Sequence, residues 1–305
     1  MRNNLDVLPQ RGNEIRQKCE RKRVRYIQRV EDYNQVIKEI SGVRIIGVDL
    51  EADSFHRYYE KICLIQIGTP KNIYIIDPLA GLDISPVKEI LEDPTVVKVM
   101  HDPTYDIALL KKTLSVTPRN IFDTSIAGQQ LGFRKLGLDN LLKQVLQVEH
   151  SKKLNIVDWA KRPLPKEWIT YAATDVRYLI ELRNLFLEKL PRYEEFKEKC
   201  SQLERIIPKE KHFNPENFVK ISGASELSSH SKEVLKALYS WRDAEARRQD
   251  RAPFMILDSK KLITIAKATI KTREDVKQLL GRKQRNDKTL YNGIFKTVRA
   301  TQEGN

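Results

Sequence analysis

The sequence predicts an α/β domain, a mixed sheet flanked by helices, followed by a small all-helical domain. Three observations carry this prediction. Three apolar, β-branched runs follow closely along the chain after one helical segment, and strand-like and helix-like segments then alternate. Past a stretch rich in Pro, Asn, Ser and Gly, every remaining segment has helical periodicity.

Residues 1–23 are polar and charged and read as a loose basic arm. VRYIQ (24–28) is a short strand, EDYNQVIKEI (31–40) a helix, and VRIIGVDLEAD (43–53) a buried strand. ICLIQIG (62–68) and NIYIIDP (72–78) lie at hairpin distance around Gly-Thr-Pro-Lys. SPVKEILED (85–93) is a helix with Pro near its start, TVVKVMH (95–101) a strand, and TYDIALLKKT a helix. From Thr124 to Leu190 the pattern is almost wholly helical, broken at Gly128, Gly132 and Gly137, with a helical continuation over 191–207. The helices beyond are carried by SKEVLKALYSWRDAEARRQD, DSKKLITIAKAT, TREDVKQLLG and LYNGIFKTVRA. The expected organisation is an arm (1–23), an α/β domain (24–207), a linker (208–225) and a helical domain (226–301).

With 305 residues, 40% of them hydrophobic, the chain can bury a substantial core, which excludes wholesale disorder. Its 55 Lys and Arg against 41 Asp and Glu suit a polyanionic partner. The excess is uneven: residues 42–221 are close to neutral, while 222–305 hold 18 basic against 10 acidic side chains. That asymmetry suggests two jobs on two domains. Cys19, Cys63 and Cys200 are far apart and form no C-x-x-C pair, so neither a zinc site nor a disulfide framework is expected. Without a signal-like N-terminus or an 18-residue apolar window, the chain reads as a soluble cytoplasmic protein with no membrane partner.

The chemistry lies in three acidic motifs. Asp49 and Glu51 sit two apart near the end of a buried strand and so share a face. Two carboxylates there are costly unless a cation neutralises them. Asp53 continues the alternation where the strand should end and is given no role. Asp106, in His101-Asp102-Pro103-Thr104-Tyr105-Asp106, falls in the first turn of a helix, where alone it would merely complement the dipole. Tyr171 and Asp175 lie four apart on a helix, on one face beside the apolar residues Ala172, Val176 and Leu179. Hard cations such as Mg²⁺ and Mn²⁺ take carboxylate oxygens, and two of them about 4 Å apart can align water and leaving oxygen on a phosphodiester. Four carboxylates suit that task, and a tyrosine hydroxyl can orient the water.

D-x-E, H-x-x-x-x-D and Y-x-x-x-D, in this order, resemble the DEDD 3′→5′ exonucleases of the tyrosine subclass. GVDLEADSFHRYYEKICLIQIG, FDTSIAGQQLG and VDWAKRPLPKEWITYAATDVRYL are similar to the ribonuclease D family from about Tyr26 to Leu190. Leu227 to Val298, around LYSWRDAEARRQDRAPFMIL, resembles the HRDC domain that follows that nuclease. The resemblance implies a ribonuclease H-like fold and a metal-dependent exoribonuclease that releases nucleoside 5′-monophosphates. Its substrate would be RNA with a free 3′ end, such as a tRNA precursor; no required protein partner is evident from the sequence. The resemblance also implies the roles. Asp49 bridges two divalent ions, Mg²⁺ or Mn²⁺; Glu51 and Asp175 complete the first site, Asp106 supports the second partly through water, and Tyr171 bonds the attacking water. His101 stands at the family's second-motif histidine, and Leu50 either presses on the terminal base or is a core leucine. Asp102-Pro103 depart from the family's small residues at that point, and there is room for one HRDC domain where members can carry two. A DNA exonuclease of the same motif set and a non-catalytic nucleic-acid scaffold are the rival readings.

HRDC-like domains are associated with nucleic-acid binding. Arg242, Arg247 and Arg248 around Trp241, with Lys260 and Lys261 following, are the candidate phosphate contacts, which would make affinity steeply salt-dependent. Trp241 itself reads as core. Lys152, with Lys153, Lys161 and Arg162, precedes the third motif and could flank the groove.

Overall fold

The computed structural model describes residues 12–149, 157–210 and 212–303. It forms two compact units: Met1–Asp53 with Glu60–Lys209, and Ser54–Tyr59 with Glu210–Asn305.

The first unit runs α1 (Gly12–Glu20), β1 (Arg23–Ile27), α2 (Val30–Ile40), β2 (Ile45–Ala52), β3 (Ile62–Gly68), β4 (Asn72–Ile76), α3 (Ser85–Glu92), β5 (Val97–Met100), α4 (Thr104–Leu114), β6 (Ile121–Asp123), α5 (Thr124–Gln130), α6 (Leu138–Leu146), α7 (Lys166–Arg177), α8 (Leu179–Leu187) and α9 (Tyr193–Leu203). The six strands form one sheet in the order β1-β4-β3-β2-β5-β6. β3 is antiparallel to β2 and β4, and the other pairs are parallel. All seven residues of β3 are buried, as a strand covered on both faces requires. On one face Ile46, Val48, Leu50, Ile65 and Ile67 pack with Val36 and Ile40 of α2, Val87 of α3 and Leu110 of α4. On the other, Leu64, Ile75 and Val99 pack with Leu141 and Leu142 of α6, Ala172, Ala173 and Val176 of α7 and Phe186 of α8. The turn between β3 and β4 is held by Thr69, whose Oγ1 accepts from Asn72 N at 2.9 Å.

In the first unit, two elements escape the periodicity reading. Within the expected arm, residues 12–20 form α1, whose apolar stripe is only Ile15 and Cys19, too narrow to signal a helix in a charged background. Cys19 is nonetheless fully buried. Behind it, Lys22 Nζ donates to the Arg177 carbonyl at 2.9 Å and to Glu181 at 3.1 Å, while Arg177 Nη1 donates to the Cys19 carbonyl at 2.9 Å and the Lys22 carbonyl at 3.3 Å. The other element is β6, three residues long and below the length at which alternation can be read.

The second unit contains α10 (Ser229–Gln249), α11 (Pro253–Ile256), α12 (Ser259–Lys267), α13 (Arg273–Leu279) and α14 (Lys288–Glu303). Side-chain caps fix where three of them start: Ser228 accepts from Ser231 N, Asp258 from Lys261 N, and Thr272 forms a capping box with Asp275. Leu235, Leu238, Leu262, Ile265, Val276 and Ile294 form the core, with Trp241 packed against it. Phe218 and Ala224, in the segment read as linker, are buried in the same core.

Candidate active site

On the face of the sheet that meets α7, Gly47 of β2 pairs directly with Gly68 of β3. A Cβ on Gly68 would lie 2.7 Å from the Val176 carbonyl, and one on Gly47 3.2 Å from the same atom. The two glycines therefore let α7 lie directly on the sheet. Asp49 and Glu51 follow Gly47 on that face, and α7 brings Asp175 to meet them. One oxygen from each of Asp49, Glu51 and Asp175 lies within 4.8 Å of the others, and all three residues are partly buried.

Asp106 approaches from α4. The loop before it is pinned by the start of α5. Asp102, at φ 48°, donates its N–H to Asp123 Oδ1 at 3.0 Å, and Asp123 also caps α5 by accepting from Ser125 N at 2.7 Å. His101 Nδ1 sits 2.9 Å from Thr124 Oγ1, which donates to the Met100 carbonyl at 3.1 Å. Aspartate tolerates the left-handed region that Asp102 occupies, and Asp106 thus projects from a fixed first turn.

The electrostatics are those of converging like charges. Loss of water around Asp49 pushes its carboxyl well above the usual range, and Asp175, Asp106 and Glu51 push it further. Glu51 is raised in the same way, by burial and then by Asp175 and Asp106. Asp106 is pushed up to about 7, mainly by burial, with Asp102 and Asp175 adding to it. Tyr171 is raised above the ordinary phenol value, by burial first and then by Asp175, Glu51 and Asp49, so its hydroxyl keeps its proton through the neutral range. The charged neighbours acting most strongly on Asp49 and Glu51 are carboxylates. An all-oxygen donor set of converging carboxylates fits hard divalent cations.

Other predicted residues are placed differently. Leu50 points to the opposite face of the sheet, buried with Ile65, Ile67 and Ile107, because strand neighbours alternate; it is a core leucine and is not on the acid face. Arg242 is buried, donating to the Leu257 carbonyl at 3.0 Å and to Ser259 Oγ at 3.3 Å, so its guanidinium closes the helical unit and is not a surface phosphate contact. Arg247 bonds Tyr58 and Asp243, Arg248 forks onto Glu245, and Lys261 bonds Gln284. Lys260 is exposed and has no side-chain partner among the described residues. His101 is anchored to Thr124 as described. Arg162, expected at the rim of a groove, instead grips Asp77 with Nε and Nη2, each at 2.7 Å, and its Nη2 also donates to the Cys63 carbonyl at 3.1 Å. Lys152 and Lys153 lie outside the described residues.

Some supporting residues went unread. Asp123 has a sequence signal, an Asp followed by Thr-Ser at a helix start. Asp53, buried at the end of β2, closes the base of the following loop: its Oδ1 accepts from Lys61 N at 2.7 Å, and its own N–H donates to the Lys61 carbonyl at 3.3 Å. Asp77 and Arg162 are 85 residues apart and carry no local signal.

Residues 24–191 match the family model described as 3′-5′ exonuclease, and residues 231–298 match the HRDC domain. A ribonuclease D from Sphingobium indicum is 33% identical over 251 residues, covering 81% of this chain and 65% of the relative. Exosome complex component 10 of Rattus norvegicus is 30% identical over 242 residues, covering 75% of this chain but 27% of its own length. Among solved structures, the catalytic core of RRP6 from Trypanosoma brucei aligns with a TM-score of 0.84 at 25% identity, covering 93% of this chain and 80% of that one. The matches span just under two thirds of the length of the first ribonuclease D relatives, 66% and 65%.

Proposed function

The chain belongs to the 3′-5′ exonuclease family, with an HRDC domain behind the nuclease, and we propose that it is a metal-dependent exoribonuclease that shortens RNA from a free 3′ end. The observation that carries this reading is the convergence of the Asp49, Glu51 and Asp175 oxygens within 4.8 Å, with Asp106 close enough to raise the first two. The relatives named ribonuclease D favour RNA over DNA. Trimming of tRNA precursors or other structured RNA is the assignment that fits this kinship.

Two divalent ions, Mg²⁺ or Mn²⁺, would supply the Lewis acidity that makes water nucleophilic and offsets charge on the leaving oxygen. Asp49 would be their shared ligand, Glu51 and Asp175 would complete the first site, and Asp106 would hold the second through water. Tyr171, still protonated, orients the attacking water. The water oxygen forms the new bond to phosphorus, the bond from phosphorus to the 3′ oxygen breaks, and that oxygen takes up a proton. The products are a nucleoside 5′-monophosphate and an RNA one residue shorter, again with a 3′ hydroxyl. The three buried free thiols suit a reducing compartment, which we take to be the cytoplasm. Among the described residues, no helix is long and apolar enough to cross a membrane.

The test uses 5′-labelled RNA and DNA of matched sequence, each incubated with Mg²⁺ or Mn²⁺ beside Asp49→Asn. A metal-dependent ladder shortening RNA from its 3′ end, absent in the variant, is the expected result. A ladder on DNA alone overturns the ribonuclease assignment, and binding without cleavage leaves a scaffold.

A further inference from the structure

On the α7 side, β2 and β3 present three facing pairs: Gly47 with Gly68, Asp49 with Gln66, and Glu51 with Leu64. The first pair lets α7 settle, and the other two carry the acids of the proposed metal site. Gln66 is fully buried, yet among the described residues neither its amide nitrogen nor its carbonyl oxygen has a hydrogen-bond partner. Its neighbour on β4 is Ile75, and its same-face neighbours along β3 are Leu64 and Gly68. Among these sheet neighbours, Asp49 alone has a polar side chain. Directly paired residues of an antiparallel ladder hold their Cβ atoms about 5 Å apart, within a glutamine's reach of an aspartate carboxylate. A buried amide with nothing to bond costs free energy that an apolar side chain of the same length would not. Its place beside a proposed shared ligand supplies the reason for it.

We infer that Gln66 is a positioning residue for the metal site: when the acids hold divalent cations, its side-chain N–H donates to the Asp49 carboxylate and fixes the plane in which that one group faces two ions. An outer partner of this kind sets the orientation of a ligand without touching the ion. The inference rests on the exonuclease reading and concerns a residue that never contacts RNA or water in that mechanism.

The test is Gln66→Met, with Gln66→Leu as a second variant, followed by calorimetric titration with Mn²⁺ and by thermal unfolding with and without it. Both variants should match or exceed the unmodified protein in metal-free melting temperature, because the unpaired amide is gone. Their Mn²⁺ affinity should fall about 10- to 100-fold, so the melting-temperature rise on adding Mn²⁺ shrinks. Stability and metal affinity thus move in opposite directions, which a residue that merely fills space would not produce. Unchanged Mn²⁺ affinity in a folded variant overturns the role, and so does failure of both variants to fold, which would make the amide structural. If the unmodified protein itself takes up no Mn²⁺, the exonuclease reading has failed first, and the two failures are distinguishable.

Discussion

Asp49 and Asp77 belong to the same unit, one within a strand and one just past another, and their surroundings are opposites. Asp77 accepts from Arg162 Nε and Nη2, each at 2.7 Å, from the Leu79 N–H at 3.0 Å and from the Tyr26 hydroxyl. Asp49 faces Glu51, Asp106 and Asp175. A buried acid whose counter-charge is built into the fold is an element of stability. One whose charged neighbours share its sign has to draw a counter-charge from solution, which is what the proposed metal site would supply.

The comparison can be broken at either acid. Asp49→Asn should cut RNA hydrolysis by about a thousandfold or more and, by removing one of four repelling charges, leave metal-free melting temperature unchanged or higher. A lower melting temperature would show that Asp49 has a compensating partner after all. Tyr171→Phe should lower kcat by about a hundredfold with Mn²⁺ affinity intact; a parallel loss of affinity would make the phenol part of the metal site. Asp77→Asn reverses the pattern. It should cost about 3 kcal/mol in urea unfolding, because Arg162 keeps its charge without a partner, and leave Mn²⁺ affinity alone.

The smallest effect sharpens the contrast through pH. A carboxyl raised in the folded state contributes stability that is fully present below its unfolded pKa, about 4, and is lost as pH rises through its folded value, about 7 for Asp106. Metal-free melting temperature should therefore decline across that window, and saturating Mn²⁺ should flatten the decline, since the ion binds the deprotonated acids. A metal-free profile that stays level from pH 4 to 7 would contradict the shifts.

What the sequence disclosed depends on how local the determinant is. The alternation of Asp49 and Glu51, and the four-residue spacing of Tyr171 and Asp175, follow from strand and helix periods, so three acids and the phenol could be read before any fold was known. Their convergence could not, because it needs α7 to land on Gly47 and Gly68, which come from two strands. The burial of Arg242 is hidden from the sequence for the same reason. Its partner is a backbone carbonyl 15 residues further on, and a sequence shows charge but not what the charge touches. Leu50 lies between two acids in sequence and on the other side of the sheet from them in space.

The N-terminal helix has a consequence for anyone shortening this protein. The match to the nuclease family begins at residue 24, which invites a fragment cut there. Such a fragment loses the Cys19 and Lys22 carbonyls that hold Arg177, and it leaves Glu181, 7% exposed, without the ammonium of Lys22. Arg177 ends the helix that carries Tyr171 and Asp175, so amide protons of α7 would exchange faster and proteases would find its end. The smallest fragment worth purifying begins at or before Gly12, a dozen residues upstream of the family match.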